Sequence, residues 1–155
     1  MKKEQIYQET RRPGTKEVVK SVTIDCTVFG FENGRLEVLL VKHAHGISEG
    51  KWGLPGGWIL KNEEIDTAAQ RLLQELTGLN QIFLEQLKAF GDPVRFPLGR
   101  VITIGYYALI KKEDYNIKAG FTASEVKWHQ INKIPDLIYD HSKILEYSWK
   151  DLENV

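Results

Sequence analysis

The chain has 155 residues, enough for one compact domain with its own hydrophobic core and little room for a second. Lysine plus arginine and aspartate plus glutamate balance at 21 each, so no overall field points to a nucleic-acid or membrane surface. A single cysteine, Cys26, excludes an internal disulfide and any multi-cysteine metal site, and it suits a reducing cytoplasm, the expected location.

Residues 1–20 carry six basic side chains against three acidic ones and read as a solvated tail, leaving 21–155 as the domain. They lack the apolar run of a secretory signal, and no stretch of the chain approaches the roughly 20 apolar residues of a spanning helix. From Ser21 to Gly30, Val22, Ile24, Cys26 and Val28 alternate with Thr23, Asp25 and Thr27, which is the period of a half-buried strand. Asn33-Gly34 supplies a turn, and Leu36 to Val41 a second strand.

Trp52 to Gly57 holds Pro55 and three glycines and is expected to be a shaped loop, not regular structure. Between Asn62 and Thr77, Ile65, Ala68, Ala69, Leu72, Leu73 and Leu76 keep helical spacing, with acids at the start and Gly78 as a stop. Ile82–Phe90, Val101–Ile110 and Val126–Ile131 read as strands, and Pro93 and Pro97 mark the loop between the first two. A last helix carries Ile144, Leu145, Trp149 and Leu152 after a starter at Asp140 or Ser142. Strands, helix, strands, helix give an α/β (α+β) domain, a mixed sheet sandwiched between helices.

Gly57, Glu63, Arg71, Leu73, Glu75, Gly78 and Leu79 stand in ungapped register with the pattern Gly, five residues, Glu, seven residues, Arg-Glu-apolar-any-Glu-Glu-any-Gly-apolar. The segment thus resembles the Nudix box, and Trp52 to Gly57 resembles its usual lead-in. Two positions depart: Leu72 and Leu76 stand where the pattern has glutamates. Positions 72, 75 and 76 share one helical face. Three carboxylates there would hold Mg²⁺ through oxygen ligands, which would polarise phosphorus and activate water. One carboxylate between leucines offers far less, so Glu75 is expected to be at best a weak metal ligand, with weak or lost catalysis. Read as a helix alone, Arg71 and Glu75 form only an i, i+4 surface pair. The resemblance implies that Glu63 and Arg71 hold the loop against the helix.

Farther along, Phe90-Gly91-Asp92-Pro93, Gly99-Arg100-Val101, Tyr106-Tyr107-Ala108-Leu109 and Tyr139-Asp140-His141 resemble the Nudix-related transcriptional regulators (NrtR-type). That resemblance implies a domain sensing ADP-ribose or a related metabolite, a homodimer, and DNA contact only through a winged-helix domain beyond the last helix. The chain stops at Val155, before such a domain. No cofactor is then expected, and Mg²⁺ only if the domain is catalytic. The other reading is a Mg²⁺-dependent pyrophosphohydrolase cleaving a nucleoside diphosphate linked to another moiety.

Expected ligand contacts are Arg95 and Arg100, whose guanidinium forks match phosphate, and the aromatic faces of Trp52, Phe96 and Tyr107. Gly56 and Gly57 in the shaped loop and Lys42 on the bordering strand complete the set. Phe96 and Leu98 replace polar residues of the regulators, which implies a ligand related to ADP-ribose but not necessarily identical. His43 and His45 share a side of a strand end but read as loop residues, and His141 as a junction residue at a helix start.

Overall fold

The computed structural model describes residues 19–154, so nearly all of the expected 1–20 tail lies outside the described residues. Strands β1 (Ser21–Glu32), β2 (Arg35–His43), β3 (Trp52–Gly53), β4 (Gly56–Trp58), β5 (Glu85–Phe90), β6 (Val101–Lys111) and β7 (Ala123–Gln130) form one mixed sheet. Helices α1 (Ile65–Thr77) and α2 (His141–Glu153) flank it. The main path runs β3-β2-β1-β6-β5, with β4 on β1 and β7 on β2. Among the described residues no helix is long and apolar enough to cross a membrane.

β1 and β6 pair in parallel from Ser21↔Val101 to Phe31↔Lys111, while the opposite edge of β1 changes partner. Its first part pairs β4 at Thr23 to Asp25, and its last part pairs β2 at Phe29 to Glu32. β2 meanwhile takes β3 at Val41 and Lys42. The sheet therefore forks between β1 and β2, with Leu54-Pro55 crossing the gap, and the Cys26 N–H donates to the Pro55 carbonyl at 2.8 Å. The lead-in expected to be irregular is thus two short strands. Pro55 lies in the crossing, where its missing donor breaks no ladder.

Helices cover both faces of the sheet. α1 packs on β1, β4 and β7, and α2 on β1, β5 and β6. Ile24, Cys26 and Val28 enter the core under α1 with Ala68, Ala69, Leu72 and Leu73. Phe29 joins Leu40, Leu54, Phe90 and Ile144 under α2. The odd-numbered face of β1 is therefore buried too: Ser148 of α2 donates to Thr27 Oγ1 at 3.0 Å, and Asp25 is only 6% exposed. α1 ends at Gly78, whose φ of 80° needs the left-handed freedom of glycine.

Candidate functional site

The fork opens into a cavity of about 310 Å³ whose walls include Thr23, Asp25, His43, Gly56, Arg95, Phe96, Tyr139 and His141. That size is in the range of small-molecule sites. A second hollow of about 570 Å³, lined by Ser48, Lys51, Trp52, Pro97, Asp136 and Leu137 among others, shares Ile138 and Tyr139 with the first. Tyr139 sits between the two with φ of 50°, a strained value for a tyrosine, and its hydroxyl is 2.6 Å from Ser48 Oγ.

Polar groups from four elements meet at the cavity floor. Thr103 of β6 donates to Asp25 Oδ2 at 2.7 Å. Arg95, its side chain 3% exposed, donates from Nε and Nη2 to Asp140 at 2.9 and 2.7 Å, and its Nη2 lies 3.6 Å from Asp25. The Leu54 N–H donates to His141 Nδ1 at 2.9 Å. A nitrogen that accepts carries no proton, so the ring hydrogen of neutral His141 is on Nε2, which faces Asp25 Oδ1 at 3.4 Å. His43 Nε2 is buried without a hydrogen-bond partner. Partial burial, reinforced by the neighbouring His141, lowers the His43 pKa below its usual value.

Gly56 pairs with Asp25 and closes the cavity from β4. A Cβ there would lie 2.2 Å from the Ile24 carbonyl oxygen and 2.3 Å from Asp25 Oδ1, so only glycine fits. Gly57 lines the same wall, directly over Leu72.

Arg71, Glu63 and Glu75 form one network on the outer side of α1. Arg71 donates to both Glu63 oxygens at 2.7 and 2.9 Å, to Glu75 Oε2 at 3.1 Å and to the Trp58 carbonyl at 2.9 Å. Glu63 also accepts from the Leu60 N–H, and these bonds, Arg71 first, hold its carboxyl below the usual range. This network joins the loop after β4 to the helix, and it also occupies Glu75.

Leu72 and Leu76, 6% and 5% exposed, pack into the interior. A hard divalent cation needs several oxygen ligands. Here two of the three helix positions are buried hydrocarbon and the third is paired with Arg71. Among the described residues no cluster of three or more His, Cys, Asp or Glu side chains could share a metal. The residues present do not fit a resident Mg²⁺.

Of the residues singled out in the sequence, the fold brings Gly56, Gly57, Arg95 and Phe96 to the first cavity and Trp52 to the second. Phe96 meets Tyr139 edge to face, with centroids 5.0 Å apart. Lys42 lies over Trp52, 5.8 Å from the ring centroid, outside both linings. Arg100 is exposed and donates to the Gly91 carbonyl at 2.7 Å. Arg95 is not the free loop cation its sequence suggests but half of a buried ion pair. Tyr107 is buried in β6 and its hydroxyl donates to Glu85. His43 and His141 turn out to be cavity residues, and so is Asp25, which the sequence reading passed over, with Thr103 bonded behind it. The signal for Asp25 was an acid inside a strand.

Residues 20–148 match the model of the NUDIX domain. The ADPR responsive transcriptional repressor NtrR of Acinetobacter baylyi is 31% identical over 137 residues, which is 86% of this chain and 54% of the repressor. The chain thus spans about half the length of that relative. The ADP-ribose pyrophosphatase of Methanocaldococcus jannaschii is 32% identical over 117 residues, 74% of this chain and 68% of the enzyme. Among solved structures, the NUDIX domain of Shewanella oneidensis NrtR complexed with ADP ribose superposes with a TM-score of 0.81. It is 28% identical and covers 98% of this chain and 99% of that one.

Proposed function

The chain belongs to the NUDIX domain family, and on that premise we propose that it binds ADP-ribose or a related nucleoside-diphosphate derivative as a sensor, with little or no turnover. The observation that carries this reading is the burial of Leu72 and Leu76 at metal-ligand positions of an otherwise intact box. The ligand spans the two cavities joined at Tyr139, with Trp52 offering a stacking face in one and Gly56, Gly57 and Phe96 shaping the other. The likeness to a repressor described as ADPR responsive and to a NUDIX domain holding ADP ribose supports the ligand class and a place in a transcriptional regulator. In that setting the domain acts in the cytoplasm as a homodimer and reaches DNA through a separate winged-helix domain.

Sensing needs an element that ligand can bias. Asp140 immediately precedes α2, and Arg95 ties it to the loop between β5 and β6. A ligand seated beside Arg95 therefore acts on the start of the last helix. Isothermal titration with ADP-ribose tests the reading. Saturable binding at one ligand per chain, unchanged by EDTA, is expected, and absence of binding by ADP-ribose and other nucleoside diphosphates would refute it.

The likeness to an ADP-ribose pyrophosphatase favours a second reading, a hydrolase using Glu75, whose side chain is 31% exposed. Its signature is Mg²⁺-dependent product release that Glu75→Gln abolishes.

A further inference from the structure

In the lining of the first cavity Asp25 supplies the carboxylate and Arg95 the guanidinium, and Arg95 is already committed to Asp140 behind the wall. Two carboxylates, Asp25 and Asp140, face a single guanidinium, Arg95, and both oxygens of Asp140 already accept from it. His141 adds no positive charge in the form that accepts the Leu54 N–H. His43 presents a buried ring nitrogen with no partner, and its lowered pKa keeps it neutral near pH 7. The hydroxyl-bearing residues Thr23 and Thr122 line the walls.

A phosphate entering here would bring further negative charge against Asp25, and the Nε–Nη2 edge of Arg95 is already held by Asp140. A further anion against a buried carboxylate that already shares one guanidinium is left poorly compensated, which is unfavourable. A neutral hydroxyl group meets no such penalty. It donates its hydrogen to the Asp25 carboxylate, a charge-assisted bond and so among the stronger ones, and its oxygen can accept from His43 Nε2 when that nitrogen carries the ring hydrogen.

We propose that this cavity takes the uncharged, hydroxyl-rich end of the ligand, a pentose-like ring, with Asp25 as its specificity-determining acceptor and the diphosphate held outside. Arg95 is then a positioning residue that fixes both aspartates, not a phosphate clamp. This inference rests on the nucleoside-diphosphate reading above.

The test is a calorimetric comparison of ADP-ribose with ADP, which lacks the terminal sugar, on the full chain and on Asp25→Asn. ADP-ribose is expected to bind at least about tenfold tighter than ADP, the equivalent of one or two net hydrogen bonds. In Asp25→Asn that preference should collapse towards one because ADP-ribose weakens. The sign is diagnostic, since a phosphate beside Asp25 would bind tighter once the negative charge is gone. Equal affinity of the unaltered chain for the two ligands, or tighter binding by Asp25→Asn, would overturn the inference while leaving nucleotide binding intact. Failure of both ligands to bind would remove the functional reading and this inference together. Thr122→Val, at an exposed wall position, serves as the second variant if Asp25→Asn does not fold. It should lower the ADP-ribose to ADP ratio, and an unchanged ratio would count against the assignment.

Discussion

Leu72 fills the space directly beneath Gly57, so that a Cβ on Gly57 would lie 2.8 Å from Leu72 Cδ2. The contact joins β4, one wall of the cavity, to the helix face where the box pattern has glutamates. Hydrocarbon closes that face, and the glycine lets it close.

Two neighbouring glycines should therefore tolerate substitution unequally. Gly57→Ala meets the tip of a flexible leucine, so a loss of about 1 kcal/mol is expected. Gly56→Ala meets backbone at Ile24 and the Asp25 carboxylate, so the loss should exceed about 3 kcal/mol or prevent folding. Urea denaturation of the pair measures the difference, and equal losses would contradict the packing described.

Restoring the box should not restore a metal site. Leu72→Glu with Leu76→Glu places two carboxylates in positions now buried within apolar clusters, and the unfolding free energy should drop by at least about 3 kcal/mol. Thermal melts with and without Mg²⁺ report the outcome. Recovery of stability on adding Mg²⁺ would show that the two positions reach a common cation.

The Arg95–Asp140 pair holds the loop before β6 to the start of α2. Asp140→Asn leaves a guanidinium with a 3% exposed side chain and, among the described residues, the more distant Asp25 as its remaining carboxylate. A loss of about 3 kcal/mol is expected, together with faster amide exchange in the first turn of α2. Exchange confined to the β5–β6 loop would mean that the pair does not anchor the helix.

Acid should destabilise the domain in two steps. His43 has a lowered pKa in the folded state, so the unfolded chain takes up the proton first, and stability falls as pH drops below the usual 6.5. Glu63 is also lowered, by Arg71 above all. Its contribution is present above its ordinary value of 4.5 and is lost as pH falls below it. Melting midpoints between pH 8 and pH 3, compared with His43→Gln, should show the upper step flattened in the variant. An upper step of unchanged size would assign it to another group.

The fold was legible where local pattern and tertiary outcome agree. The alternation of β1, the spacing of α1 and Gly78, and the starter at Asp140 all predict elements close to those observed. Ile82–Phe90 begins as a strand only at Glu85, because branched residues describe burial as well as extension. Much of the site was hidden for one reason. Thr23, Asp25 and Thr27 look like the solvent side of a half-buried strand, and the groups that meet that side, Arg95, Thr103 and Ser148 of α2, come 70 or more positions later in the chain, on the order of half its length. Arg95 misled in the same way, since its partner Asp140 lies 45 positions along the chain. Glu63 and Arg71 lie only eight apart, and their side chains meet directly.

Binding without chemistry is the central claim, and one measurement addresses it directly. Saturating ADP-ribose is incubated with the protein and Mg²⁺, and AMP release is followed by chromatography over many multiples of the ligand residence time. The account predicts intact ADP-ribose recovered from a bound complex. Mg²⁺-dependent AMP formation that disappears in Glu75→Gln would contradict it and make the domain a hydrolase.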